Sequence, residues 1–125
     1  MAKGKIMVID DEVIVGKMIK ATFEKDGYVV ETFLNAAPAL ERLKEVKFDV
    51  VITDLKMKGI DGMEVLRVVK EESPDTKVIM ITAYASLDSA IGALRGQVDD
   101  FFPKPVRIQD MKKTVERLLE GNSDK

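Results

Sequence analysis

The chain has 125 residues, 46% of them hydrophobic and 34% charged, which suits one soluble globular domain built around a single core. With 20 basic and 22 acidic residues the net charge is −2, so neither nucleic acid nor an anionic membrane is favoured electrostatically as the main partner. Cysteine and histidine are both absent, which excludes disulfides, thiolate or imidazole metal sites, and Ser-His-Asp or Cys-His catalysis.

In chain order, apolar runs alternate with amphipathic stretches. The first run, Ile6 to Ile9, leads straight into Asp10, Asp11 and Glu12. From Glu12 to Asp26, Val15, Ile19 and Phe23 repeat every four residues, and Gly27 follows as a helix C-cap. Val29 to Phe33 reads as a strand, and Ala36 to Val46, with Ala39, Leu40 and Leu43, as a helix. Val50 to Ile52 is the third strand. Asp61, three residues before Glu64, opens a helix that stops near Ser73–Pro74. Val78 to Ile81 is the fourth strand, and Ser86 caps a helix through Leu87, Ala90, Ile91 and Leu94. Asp100 to Phe102 is the fifth strand. Ile108, Met111, Val115, Leu118 and Leu119 form one face of a terminal helix, and Glu120 to Lys125 reads as a frayed tail. Strands apolar on both faces, each followed by a helix, predict a doubly wound parallel sheet of five strands with five helices. No apolar stretch approaches the roughly 20 residues of a membrane span. The start MAKGKIMVID has no signal-peptide core, so a cytoplasmic protein is expected.

In open α/β sheets, ligands bind beyond the carboxyl ends of the strands. The residues that follow the apolar runs therefore form a group: Asp10 and Asp11, Asp54, Thr82 and Ala83, and Lys104. Alone, Asp10 and Asp11 suit a helix start as well as a metal site, since acids favour an N-terminal helix dipole. Together with Asp54 they offer hard oxygen ligands of the kind that Mg²⁺ or Ca²⁺ takes. A carboxylate such as Asp54 can also be the nucleophile of a phosphoryl transfer. The incoming anion would need cations on its oxygens, which Mg²⁺ and Lys104 can supply, and the Thr82 hydroxyl can donate a hydrogen bond. With no histidine in the chain, a phosphohistidine donor would lie on another molecule.

VIDDE, VITDLKMKGIDGMEVL, VIMITAYAS and DDFFPKPV resemble, in order and spacing, the motifs of response-regulator receiver domains of bacterial two-component signalling. The resemblance spans nearly the whole chain. It implies the flavodoxin-like strand order 2-1-3-4-5, a receiver domain over residues 1–120, and a tail or linker start at 121–125. It implies that Asp54 is the phosphoacceptor and that Asp10, Asp11, Asp54 and the Lys56 backbone carbonyl bind Mg²⁺. By the same resemblance Thr82, Ala83 and Lys104 hold the phosphoryl group, and Phe101 is the aromatic switch partner of Thr82. Lys56 and Tyr84 match the variable positions that tune phosphoryl lifetime. The partners implied are a sensor histidine kinase or phosphotransfer protein, and a downstream effector or output domain reached through the fourth helix, fifth strand and fifth helix. That face also admits a homodimer on phosphorylation. The family suggests a cis Lys104–Pro105 bond, whereas trans is the general rule for X–Pro.

Three positions depart from the family pattern: Lys58 for a usual proline, Gln97 for a usual glycine, and Arg107 for a frequent capping acid. Other functions fit less well. A binding module that works without phosphorylation would be favoured by loss of an acid or of Lys104, and none is lost. Aspartyl phosphatases carry a second acid two residues after the nucleophile, where TDLK places Lys56. No GxxxxGK[ST] or GxGxxG follows the first strand, which argues against nucleotide binding. Gly92, inside the expected fourth helix, costs about 1 kcal/mol relative to alanine. That helix is predicted to be the softest. Hydrogen exchange should show it less protected than the first helix, and equal protection would contradict the prediction.

Overall fold

A computed structural model describes residues 3–57, 59–83 and 97–123. The strands are β1 (Lys5–Ile9), β2 (Val29–Phe33), β3 (Val50–Asp54), β4 (Lys77–Thr82) and β5 (Asp100–Pro103). The helices among the described residues are α1 (Val13–Lys25), α2 (Ala36–Glu45), α3 (Gly62–Glu72) and a C-terminal helix (Ile108–Ser123). Every strand pairing is parallel and the order is β2-β1-β3-β4-β5, as expected. The helix expected from Ser86 to Leu94, with Gly92, lies outside the described residues. None of the described helices is long and apolar enough to cross a membrane.

The period-2 alternation of the strands makes two cores. Met7, Ile9, Val51 and Met80 face Ala39, Leu43, Val65, Leu66 and Val69 of α2 and α3. Ile6, Val8, Ile52, Ile79 and Ile81 face Ile19 and Phe23 of α1 and Met111 and Val115 of the C-terminal helix. Burial on both faces holds for the interior of the sheet, where all five residues of β3 are buried. It does not hold at the edges. Val29 is exposed on β2, and no residue of β5 is fully buried. An edge strand has one neighbour instead of two, so its outer flank meets water.

Local chemistry sets the helix ends. Past α1, Gly27 takes a φ of +99°, the left-handed turn that glycine enters without a Cβ clash. Asp61 caps α3 by accepting from the Glu64 N–H at 3.1 Å, and the helix ends at Ser73, as its residues predict. The C-terminal helix runs on to Ser123, into the segment expected to fray. A single Gly121 lowers helix propensity without breaking the backbone hydrogen-bond ladder, and no proline follows to stop it.

The β2 edge is tied to α2 by a forked pair in which Arg42 donates to Glu31 at 2.8 and 3.0 Å. The Arg42 guanidinium holds the Glu31 carboxyl below the ordinary glutamate value of 4.5. A depressed carboxyl stabilises the fold above its unfolded pKa, and that contribution disappears as pH falls through the lower folded value. Glu31→Gln should therefore cost about 1 kcal/mol at pH 7. In urea melts the gap from wild type should close below the ordinary glutamate range. A gap independent of pH would show that the pair does not act through its charge.

Candidate functional site

Three loops meet beyond the carboxyl ends of β1, β3 and β5. Asp10 follows β1, and its backbone N–H donates to Phe33 O of β2 at 3.0 Å, fixing the start of the loop. Asp54 is the last residue of β3, and the Leu55 N–H donates to Ile81 O of β4 at 2.8 Å. Lys104 follows β5, held where its N–H donates to Thr82 O at 2.8 Å, and its bond to Pro105 is cis, as the sequence resemblance suggests. The sheet thus brings together residues up to 94 positions apart in sequence.

Asp10, Asp11 and Asp54 each place a carboxylate oxygen within 4.8 Å of the others. Asp10 and Asp54 are buried, at 1% and 5% exposure, whereas Asp11 is exposed. At such a separation and an effective dielectric of about 20, two carboxylates repel by about 3 kcal/mol. Lys104 offsets that repulsion. Its ammonium donates to Asp54 Oδ2 at 2.8 Å and to Glu12 Oε1 at 2.7 Å, and lies 2.9 Å from Asp10 Oδ2. The last approach is close but poorly aligned, so it is an ion pair that leaves Asp10 Oδ2 without a hydrogen bond. The other oxygens have backbone donors: Glu12 N–H to Asp10 Oδ1 at 2.8 Å and Lys56 N–H to Asp54 Oδ1 at 3.2 Å.

These contacts shift the ionisable groups in opposing directions. Burial pushes the Asp10 carboxyl up, while the Glu12 N–H and Lys104 pull it down and the Asp54 charge pushes it up again. Burial works against the Lys104 ammonium, but Asp54, Glu12 and Asp10 outweigh it and raise the group above the ordinary lysine range. A buried carboxylate oxygen without a hydrogen bond, beside two other acids, suits a small hard cation. Asp10, Asp11 and Asp54 therefore fit Mg²⁺.

Thr82 ends β4 and is fully buried. In the register Met80 pairs with Phe101 and Thr82 with Pro103, so Thr82 and Phe101 lie on one face of the sheet. Phe101 is half-buried and packs against the core under α2 and α3. Ala83 and the Lys56 side chain are exposed. Tyr84 and Lys58 lie outside the described residues.

Two participants do not stand out from residue types alone. Glu12 is the third partner of Lys104, and its signal is the unbroken acid run after β1. The other is Gly62, at the start of α3. Its N–H donates to Leu55 O at 2.9 Å, and a Cβ there would lie 2.4 Å from Asp54 O and 2.8 Å from Leu55 Cα. Only glycine lets the helix seat against the peptide that carries Asp54. Gly62→Ala should cost about 2–3 kcal/mol in urea melts, because the backbone would have to shift. A loss under about 0.5 kcal/mol, the range of neutral surface changes, would show that the helix start yields freely.

The profile of the response regulator receiver domain family matches residues 6–116. The DNA-binding transcriptional regulator NtrC of Escherichia coli (strain K12) is 33% identical over 119 residues, covering 95% of this chain and 25% of NtrC. The chain thus spans about a quarter of the length of this curated relative. A response regulator receiver domain protein from Clostridium thermocellum superposes with a TM-score of 0.86 at 35% identity, covering 98% of both chains. The response regulator protein TrrA from Thermotoga maritima, in complex with Mg²⁺–BeF, superposes with a TM-score of 0.82 at 30% identity, covering 94% of this chain and 99% of TrrA.

Proposed function

Because this chain belongs to the response regulator receiver domain family, we propose that it is a signalling switch set by phosphorylation of Asp54. The observation that carries this reading is the buried Asp54 carboxylate, in contact with Lys104 and within 4.8 Å of Asp10 and Asp11. An Asp54 oxygen attacks the phosphorus of a phosphohistidine on a partner kinase or phosphotransfer protein. The P–N bond breaks, the imidazole leaves with its electron pair, and an aspartyl phosphate remains. Mg²⁺ held by Asp10, Asp11, Asp54 and the Lys56 carbonyl would supply positive charge to the phosphoryl oxygens. That TrrA was solved with Mg²⁺–BeF supports the same pocket here.

Lys104 supplies the second cation. Already 2.8 Å from Asp54 Oδ2, its ammonium reaches a new phosphoryl oxygen with a small displacement. Thr82 and the backbone at Ala83 provide further contacts. As Thr82 turns toward the phosphoryl group, Phe101, on the same face of the sheet, fills the space it leaves. The remodelled face runs from the segment before β5 across β5 to the C-terminal helix, where an effector, an output domain or a second copy is to dock. Lys56 and Tyr84, at the variable positions two residues after Asp54 and Thr82, tune hydrolysis of the aspartyl phosphate. The protein then acts on no external substrate. It catalyses its own phosphorylation and dephosphorylation, in the cytoplasm with its kinase. The receiver unit is residues 1–120, with 121–125 a C-terminal tail or the start of a linker.

The test is intact mass after incubation with Mg²⁺ and acetyl phosphate, for wild type and Asp54→Asn. One added phosphoryl group that requires both Mg²⁺ and Asp54 is expected. No adduct in wild type from either acetyl phosphate or a phosphorylated histidine donor would favour a phosphorylation-independent binding module.

A further inference from the structure

Among the described residues, Glu12 is the one carboxylate paired with the Lys104 ammonium that lies outside the aspartate cluster. The ammonium touches Asp54 at 2.8 Å, Asp10 at 2.9 Å and Glu12 at 2.7 Å. Two of these carboxylates belong to the candidate metal pocket. Any cation seated there draws on the same two carboxylates that hold Lys104, whereas Glu12 is left to it. We infer that Glu12 is a positioning residue that keeps Lys104 at the rim of the pocket when Asp10 and Asp54 turn to a metal ion. The inference rests on the reading of the three aspartates as a Mg²⁺ site.

Local geometry explains why Glu12 can do this. It stands at the N-cap of α1 but makes no side-chain cap hydrogen bond, so its carboxylate is not drawn back onto the helix. Its backbone is fixed instead, the N–H donating to Asp10 Oδ1 at 2.8 Å. From there the side chain, 59% exposed, spans the mouth to a lysine 92 residues away. The pair links the loop after β1 to the loop after β5 across the opening above Asp54. Lys104 itself is 12% exposed, and its backbone is fixed by the bond to Thr82 O. An ammonium so nearly buried cannot simply return to water when it loses two carboxylates. Left without a partner it would carry the desolvation cost of an unpaired charge. Glu12 lowers that cost and so makes it easier for a cation to displace Lys104 from Asp10 and Asp54. An exposed ion pair contributes little to folding stability. Its consequence is in how Lys104 is shared.

The test is a Mg²⁺ titration by calorimetry on wild type, Glu12→Gln, Lys104→Gln and the double variant. If Glu12 acts through Lys104, Glu12→Gln weakens Mg²⁺ binding about three- to ten-fold in the wild-type background, as coupled neighbours do. In the Lys104→Gln background the same change should move affinity less than about two-fold, since no ammonium needs a partner. Glu12→Asp keeps the charge but shortens the reach, and is expected to behave like Glu12→Gln. An equal loss in both backgrounds would overturn the inference, leaving Glu12 as a general negative charge. So would an undiminished affinity in Glu12→Gln, or a Glu12→Asp variant that binds like wild type. No binding to the wild type would instead overturn the metal reading itself, which separates the two failures.

Discussion

The site depends on one ammonium held among carboxylates. Without Lys104, Asp10 and Asp54 would be two buried acids within 4.8 Å of each other, with Asp11 adding a third charge at the surface. Burying unpaired charge costs several kcal/mol per ion, so such a cluster persists only with a compensating cation. Lys104 provides that cation from the far side of the sheet, and its contacts to Asp10, Glu12 and Asp54 draw the loops after β1, β3 and β5 together. In the proposed switch, the same compensation would make the site responsive: a metal ion or a phosphoryl group on Asp54 would change the local charge, and Lys104 would repartition among its neighbours. Local electrostatics with an element free to move is the physical content of a switch.

The fold supplies the rigidity this requires. β1, β3 and β4 are interior strands, sealed by helices on both faces, so the backbones under Asp10, Asp54 and Thr82 have little freedom. Gly62 lets α3 pack directly onto the Asp54 peptide, which fixes the third loop as well. By contrast β5 is an edge strand with no fully buried residue. Phe101 therefore sits on a strand with one open flank, half-buried against the core under α2 and α3. In the proposed switch, a charge cluster beside this less buried edge gives the signal a direction of travel, from Asp54 through Thr82 toward β5 and the C-terminal helix.

Most of this was legible in the sequence because the physics is local and periodic. Four-residue apolar spacing marked α1, the Asp61–Glu64 pair marked the start of α3, and both-faces-apolar runs marked β1, β3 and β4. The strand-end rule groups Asp10, Asp54 and Lys104, and the structure brings all three into contact range. What was not legible depends on tertiary geometry. That β2 and β5 would be half-exposed follows from sheet order, which a strand's own residues do not encode. Glu12 reaches Lys104 because two loops face each other across the mouth, and the crowding at Gly62 arises from a peptide seven and eight residues earlier folding back on it. The helix end at Ser123 was missed because a lone glycine is only a weak stop.

The central claim is that the phosphoryl group is carried on Asp54. The most direct measurement is borohydride reduction of the protein after phosphorylation, followed by peptide mapping. Reduction converts an aspartyl phosphate to homoserine and so marks the residue that held it. The account predicts homoserine at position 54 and at no other aspartate. Homoserine at position 10 or 11, or a phosphorylated protein with position 54 unmodified, would contradict it.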